Sequence, residues 1–151
     1  MESMLLALAL MAGNQEAATQ VALAEKYENA GDYEDALTAY AKAGDFYSET
    51  GYGETGAIKL MEFAGRMEDA GRYEIAAKAY AKAGELYRIV GKGSYGVSFL
   101  VEFAGRAETA GKYEAAAIAY DAVAEIYAQM GYPQNDYYEK AADMRIKAHQ
   151  D

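Results

Sequence analysis

The residues that could do chemistry in this chain are few. Two stretches, 51–56 (GYGETG) and 91–96 (GKGSYG), match the pattern G-x-G-x-x-G, with which dinucleotide-binding loops bring backbone N–H groups against a pyrophosphate. That use needs a β-strand before the loop and a helix after it. Both copies here join one helical pattern to the next, so the glycines read as a recurring turn, with at most a weak anion contact near Lys92 and Ser94. His149 is the only histidine, and no cysteine or serine lies near it in sequence to complete a nucleophilic triad. The carboxylate pairs Glu34 with Asp35 and Glu68 with Asp69 fall at expected helix ends, where acids are ordinarily solvated, and lack calcium-loop spacing. Glu62 with Arg66 and Glu102 with Arg106 have the i, i+4 spacing of helix-surface ion pairs, worth a few tenths of a kcal/mol each. Cysteine is absent, which removes thiolate chemistry, cysteine-based zinc sites and disulfides and fits a reducing cytoplasm. The expectation is a protein without catalytic residues, metal or cofactor.

The elements that carry these residues repeat every forty positions. The segments 24–52, 64–92 and 104–132 align without gaps, with identities at Ala30, Ala70 and Ala110; Gly31, Gly71 and Gly111; Tyr33, Tyr73 and Tyr113; Ala36, Ala76 and Ala116; Tyr40, Tyr80 and Tyr120; Tyr47, Tyr87 and Tyr127; Gly51, Gly91 and Gly131. Apolar spacings of three and four predict two helices per unit, A and B, each stopped by a glycine able to take left-handed backbone. In the middle unit Leu60, Phe63, Ala64 and Met67 stripe helix A, and Tyr73, Ala76, Ala77, Tyr80, Ala83 and Tyr87 stripe helix B. The repeating tyrosines read as seam residues with buried rings and hydroxyls near a partner. The non-repeating Tyr52, Tyr95, Tyr132, Tyr137 and Tyr138 read as candidates for contact with another molecule.

Because Gly13, Gly53 and Gly93 are also forty apart, 1–12 aligns with the second half of helix B, and 135–150 reads as a last helix A. The chain is thus expected to be a single all-α domain, 1–151: a half-repeat 1–12, repeats of about 13–52, 53–92 and 93–132, and a terminal helix 135–150, about eight antiparallel helices in all. The apolar run from Met4 to Ala12 follows Glu2 rather than a basic start and is too short to span a bilayer, so it is expected to be a core helix rather than a signal peptide. No integral membrane segment is predicted. A formal net charge of −10 opposes phosphate backbones and anionic lipid heads, so nucleic acid is not an expected partner, and neutral or basic proteins are.

The unit Ala-Gly-x-Tyr-Glu-x-Ala, followed by Tyr40, Tyr80 or Tyr120 and then small residues, resembles the tetratricopeptide (TPR) repeat over nearly the whole chain. Helix B runs about two turns longer than in the usual unit, with Ser48, Arg88 and Ala128 where that family closes with proline. The elongation is similar to the soluble NSF attachment proteins, whose repeats are resembled by the stretches 71–78 (GRYEIAAK) and 124–127 (AEIY). The resemblance implies a TPR-like solenoid, a right-handed α-α superhelix, acting as an adaptor. Tetratricopeptide arrays hold peptides or helices in a concave face, and attachment proteins link helical bundles to a ring ATPase.

In the family that groove is lined by helix A, which places Ala18, Val21 and Glu25, then Ile58, Met61, Gly65 and Glu68, then Ser98, Val101, Gly105 and Glu108 at the candidate protein-binding positions. Domains of this class that clamp acidic chaperone tails need lysine, arginine and asparagine there, and these residues supply none. An apolar floor beside Glu28, Glu68 and Glu108 suits an amphipathic helix with a basic flank. The alternative is that Met61 and Val101 only pack against the neighbouring repeat. A second expectation, of another class, is a self-assembling homo-oligomer. Met4, Leu5, Leu6, Leu8 and Leu10 form an apolar stub onto which the last helix A of another copy would dock head to tail, unless the stub folds onto 17–26.

Overall fold

The computed structural model describes residues 2–150, so Met1 of the expected half-repeat and Asp151 of the expected domain lie outside the described residues. The helices are α1 (Glu2–Asn29), α2 (Tyr33–Glu49), α3 (Gly53–Asp69), α4 (Tyr73–Ile89), α5 (Gly93–Thr109), α6 (Tyr113–Gln129) and α7 (Tyr137–Ala148). The A positions are α1, α3, α5 and α7, and the B positions are α2, α4 and α6. Five of the seven helices have the same length, 17 residues.

That uniformity comes from how the helices stop. Gly31, Gly51, Gly71, Gly91, Gly111 and Gly131 all have positive φ, between 73° and 100°. Each lets two backbone N–H groups turn back onto carbonyls the helix end would otherwise orphan. After α3, for example, Gly71 donates to the Glu68 carbonyl at 2.9 Å and Arg72 to that of Met67 at 2.7 Å. None of the helices α2 to α7 has a side-chain hydrogen bond at its N-cap, so these glycine stops, rather than caps, cut the chain.

The same rule corrects the expected helix count. Seven helices are described rather than about eight, because 2–12 is not a separate half-repeat but the first part of an unbroken 28-residue α1. Gly13 was aligned with Gly53 and Gly93, but those residues begin helices; the stop lies two residues earlier, at Gly51, Gly91 and Gly131. The corresponding position is Met11, which has no ready access to left-handed backbone, so the helix continues. The run from Met4 to Ala12 is helical as expected, but it is not core and does not fold onto 17–26: Met4, Leu5, Leu6 and Leu8 are 67%, 64%, 62% and 55% exposed. At the other end, Pro133 stands where Gly53 and Gly93 begin their helices, and α7 starts at Tyr137 rather than 135. Asn135 orders that turn, donating to the Ala124 carbonyl at 3.2 Å and accepting the Tyr137 N–H at 3.2 Å.

The inner A helices α3 and α5 each pack on their own B helix and on the B helix before it, α1 packs on α2 and α7 on α6, and B helices also pack directly on one another, α2 on α4 and α4 on α6. Successive A helices make no comparable contact. Glycine sets the close approaches. A Cβ on Gly56 of α3 would lie 2.8 Å from the Gly44 Cα of α2, and one on Gly96 of α5 would lie 3.1 Å from the Gly84 Cα of α4. The notch at Gly44 also receives the Leu86 side chain of α4, and that at Gly84 receives Ile126 of α6. The two G-x-G-x-x-G matches are thereby accounted for: the first glycine stops helix B, and the last lets helix A touch helix B backbone to backbone. Phe63, Phe103, Leu60, Leu86, Leu100 and Val123 fill the interior between the layers.

Two glycine substitutions should therefore differ in sign. Gly56→Ala forces the α2–α3 backbones apart and should cost about 1–3 kcal/mol of unfolding free energy. Gly105→Ala meets nothing within 4 Å and should stabilise by about 0.5–1 kcal/mol. Urea unfolding of both variants measures the difference.

Candidate protein-binding surface

Along the A side of the array a three-residue clamp recurs. Arg66 of α3 grips Glu28 of α1 with two hydrogen bonds, Nε to Oε2 at 2.6 Å and a terminal N–H to Oε1 at 2.9 Å, while the Tyr40 hydroxyl of α2 donates to the same carboxylate at 3.0 Å. Forty residues on, Arg106 grips Glu68 at 2.7 and 3.0 Å, and Tyr80 donates to Glu68 at 3.2 Å. The planar guanidinium matches both carboxylate oxygens at once, which a lysine cannot do. The third copy lacks that match. Ile146 stands at the arginine position, and Glu108 has instead Tyr120 at 3.4 Å and Lys147 at 3.6 Å.

The clamps correct the expected local pairs. Arg66 and Arg106 bond not to Glu62 and Glu102 on their own helices but to the preceding A helix. A bidentate contact to a carboxylate that is only 15% exposed outcompetes an i, i+4 contact in open solvent. The sequence did carry a signal for it, since Glu28, Glu68 and Glu108 keep the same interval as Tyr40, Tyr80 and Tyr120. With the arginine side chains about half exposed, each clamp contributes up to about 1 kcal/mol.

The clamps also shift ionisation. The Arg66 hydrogen bond, reinforced by Tyr40, holds the Glu28 carboxyl below its usual range against the opposing effect of burial. Burial, then the neighbouring carboxylate, pushes the Tyr40 and Tyr80 phenols up from 10.0 to about 12. Their rings are 2% and 8% exposed, and they pack on Phe63 and Phe103 with centroids 4.8 and 4.9 Å away. The seam role expected of the repeating tyrosines is the one they fill here.

The candidate groove residues fall on the A side in three groups. Ala18, Glu25, Ile58 and Ser98 are exposed, Ile58 to 44%. Val21, Met61 and Val101 are half-buried and lean on the core, while Gly65 and Gly105 leave the backbones of α3 and α5 accessible between them. Glu68 and Glu108 belong to the clamps. Between α1 and α3 lies a shallow furrow of about 350 Å³ bordered by Glu25, Lys59 and Glu62 and crossed by the first clamp. Among the described residues no cation lies within 4 Å of Glu25, Glu62 or Glu102. Of the tyrosines offered for contact, Tyr95 packs edge-on against Tyr87 and Phe99, Tyr132 edge-on against Tyr127, and Tyr137 stacks on Tyr120 and Tyr127. Tyr138 donates to Glu125 at 3.1 Å, and Tyr52 is 53% exposed. Among the described residues no group of three or more His, Asp or Glu is placed to hold a metal ion, and no helix is long and apolar enough to cross a membrane.

Paired helices at a constant interval define an all-helical repeat protein. Comparison with protein families makes this specific: residues 8–148 match the model of the soluble NSF attachment protein (SNAP) family, and the chain belongs to that family. No curated protein and no solved structure gives a significant match.

The phenol shifts carry a pH dependence. A phenol whose folded pKa is raised favours the neutral form in the fold, so its contribution is intact below 10 and is lost as pH rises towards 12. Stability should therefore decline between pH 10 and 12, and the double variant Tyr40→Phe, Tyr80→Phe should flatten that decline while losing about 1 kcal/mol per hydroxyl at neutral pH. Urea unfolding across that pH range, with phenolate absorbance as the monitor of ionisation, tests both effects.

Proposed function

We propose that this chain is a non-catalytic, cytoplasmic adaptor that binds an α-helix or extended peptide of another protein along the helix A side of a right-handed solenoid. The observation that carries the reading is the imbalance of charge on that side. Arg66 and Arg106 are committed to Glu28 and Glu68, whereas Glu25, Glu62 and Glu102 have no cation within 4 Å among the described residues. The floor beside them is apolar or small: Val21, Ile58, Met61 and Val101, with Ala18, Gly65, Ser98 and Gly105. An amphipathic helix with its apolar stripe on Ile58 and Met61 and a lysine or arginine flank towards Glu62 and Glu102 complements both features. Family membership supports an interaction role of this kind. Homo-oligomerisation through Met4, Leu5, Leu6, Leu8 and Leu10 is a second reading, favoured by the exposure of the first four.

A labelled, lysine-flanked amphipathic peptide should bind the chain in fluorescence anisotropy, more weakly as salt is raised. Ile58→Glu alters an exposed side chain outside the core, so it should preserve the fold while reducing affinity tenfold or more, consistent with about 1.5–3 kcal/mol for one buried isoleucine. The variant Glu62→Gln, Glu102→Gln should lose most of the salt dependence. Undiminished binding to Ile58→Glu, or equal binding of a glutamate-flanked peptide, defeats the assignment.

A further inference from the structure

A stretch of unpartnered apolar surface lies at the start of α1. From Ser3 to Ala12 no residue carries charge, and Met4, Leu5, Leu6, Leu8 and Met11 are each more than half exposed. Successive residues of a helix turn by about 100°, so Met4, Leu5, Leu8 and Met11 share one broad face that Leu6 extends, and the alanines between them leave no polar face for water. The stretch is anchored only at its base, where Thr50 donates to the Asn14 side chain at 2.7 Å and a Cβ on Gly13 would collide with Thr50. Beyond that point α1 runs past the end of α2 into solvent. The turns on this edge of the array expose Tyr52, Val90 and Tyr132 beside the ion pair of Lys92 with Glu54, whereas those on the opposite edge carry Asp32, Arg72 and Lys112.

We infer that this edge is the interface of a two-fold symmetric homodimer, in which 2–12 of one copy lies antiparallel against the same stretch of its partner. Area, charge and symmetry point to a second copy. Five large side chains more than half exposed leave on the order of 500 Å² of apolar surface, at the upper end of the about 300–600 Å² patch that a monomer carries and that is often a contact surface. Two such stretches present on the order of 1,000 Å² together, of which the facing sides are covered, and with the exposed Tyr52 of the adjoining turn the contact approaches the least that a specific interface requires. A chain of net charge −10 repels its own copies over most of its surface, and a stretch free of charge from Ser3 to Ala12 is where two of them meet without opposed carboxylates.

Symmetry separates this from head-to-tail stacking. A receptor at the other end would have to be α7, but there Lys140 holds the position that Leu60 and Leu100 fill in the core, with Asp143, Arg145 and Lys147 following. Docking an apolar helix on α7 would strand those charges out of water. A patch that finds no complement elsewhere on the molecule pairs with itself, and that contact closes at two. Pairing also covers a protruding helical stretch too short to be stable alone in water.

Light scattering on the full chain at micromolar to millimolar concentration tests the inference. The expected mass is twice 16.4 kDa, and the variant Leu5→Glu, Leu8→Glu should fall to 16.4 kDa while keeping a cooperative melt, with circular dichroism losing no more than the helicity of the first turns of α1, because both residues are solvent-exposed. Ile146→Glu, on the exposed face of α7, should leave the dimer intact. A mass of 16.4 kDa for the unaltered chain, a dimer that survives Leu5→Glu, Leu8→Glu, a mass that climbs past two chains with concentration, or dissociation by Ile146→Glu would each overturn it. Flotation of a monomer with phosphatidylcholine vesicles, abolished by Leu5→Glu, Leu8→Glu, would also overturn it and assign the stretch to lipid.

Discussion

The architecture depends on a backbone constraint that returns every twenty residues: a glycine in left-handed conformation, from Gly31 through Gly131, that ends one helix and reverses the chain. Helices cut to one length and joined by identical turns come into register without further instruction. Register is what brings Gly56 to Gly44, Gly96 to Gly84, and Arg66 and Arg106 across to Glu28 and Glu68. A repeat protein has no single closed core to fix its dimensions, so each unit has to be placed by its neighbours. Here the turn sets the height of each helix, the glycine notch its depth, and the clamp its spacing from the next A helix.

Much of this was legible in the residues, and the failures have physical causes. Apolar spacing gave the paired helices, and their resemblance to attachment-protein repeats agrees with the family match over 8–148. The unbroken α1 was missed because glycines at helix starts were aligned as though they were stops. The decisive position is Met11, where the repeat requires glycine and has none. The clamps were missed because the i, i+4 rule is local, whereas the pairing of Arg66 with Glu28 depends on how far apart successive A helices stand. The rule describes an isolated helix correctly, and tertiary geometry supplies a better acceptor. The exposure of Met4 to Leu8 was misjudged for a related reason: composition says that a segment is apolar, and only the position of α2 says that nothing covers it.

The clamps link structure to the candidate surface through charge accounting. Taken singly, Arg66 and Arg106 would make the A side mixed in sign. Held by Glu28 and Glu68, they are spent on cohesion, and the charges left beside the furrow are Glu25, Glu62 and Lys59, with Glu102 further along. One set of side chains thus holds the repeats together and sets the polarity of what they offer. The end helices differ in sign: Lys140, Arg145 and Lys147 outnumber Glu139 and Asp143 in α7, whereas Glu2, Glu16, Glu25 and Glu28 outnumber Lys26 in α1.

The two layers of the array are joined by different kinds of contact, and this bears on how the molecule deforms. B helices meet through buried side chains seated in backbone notches, as Leu86 is over Gly44 and Ile126 over Gly84. A helices are bridged only by polar arms half in water. Such a body is stiff along one side and compliant along the other, like a book held at its spine. Its softest motion opens or shuts the furrows between the A helices, and dissolved salt, by weakening the bridges, tunes how far the pages part.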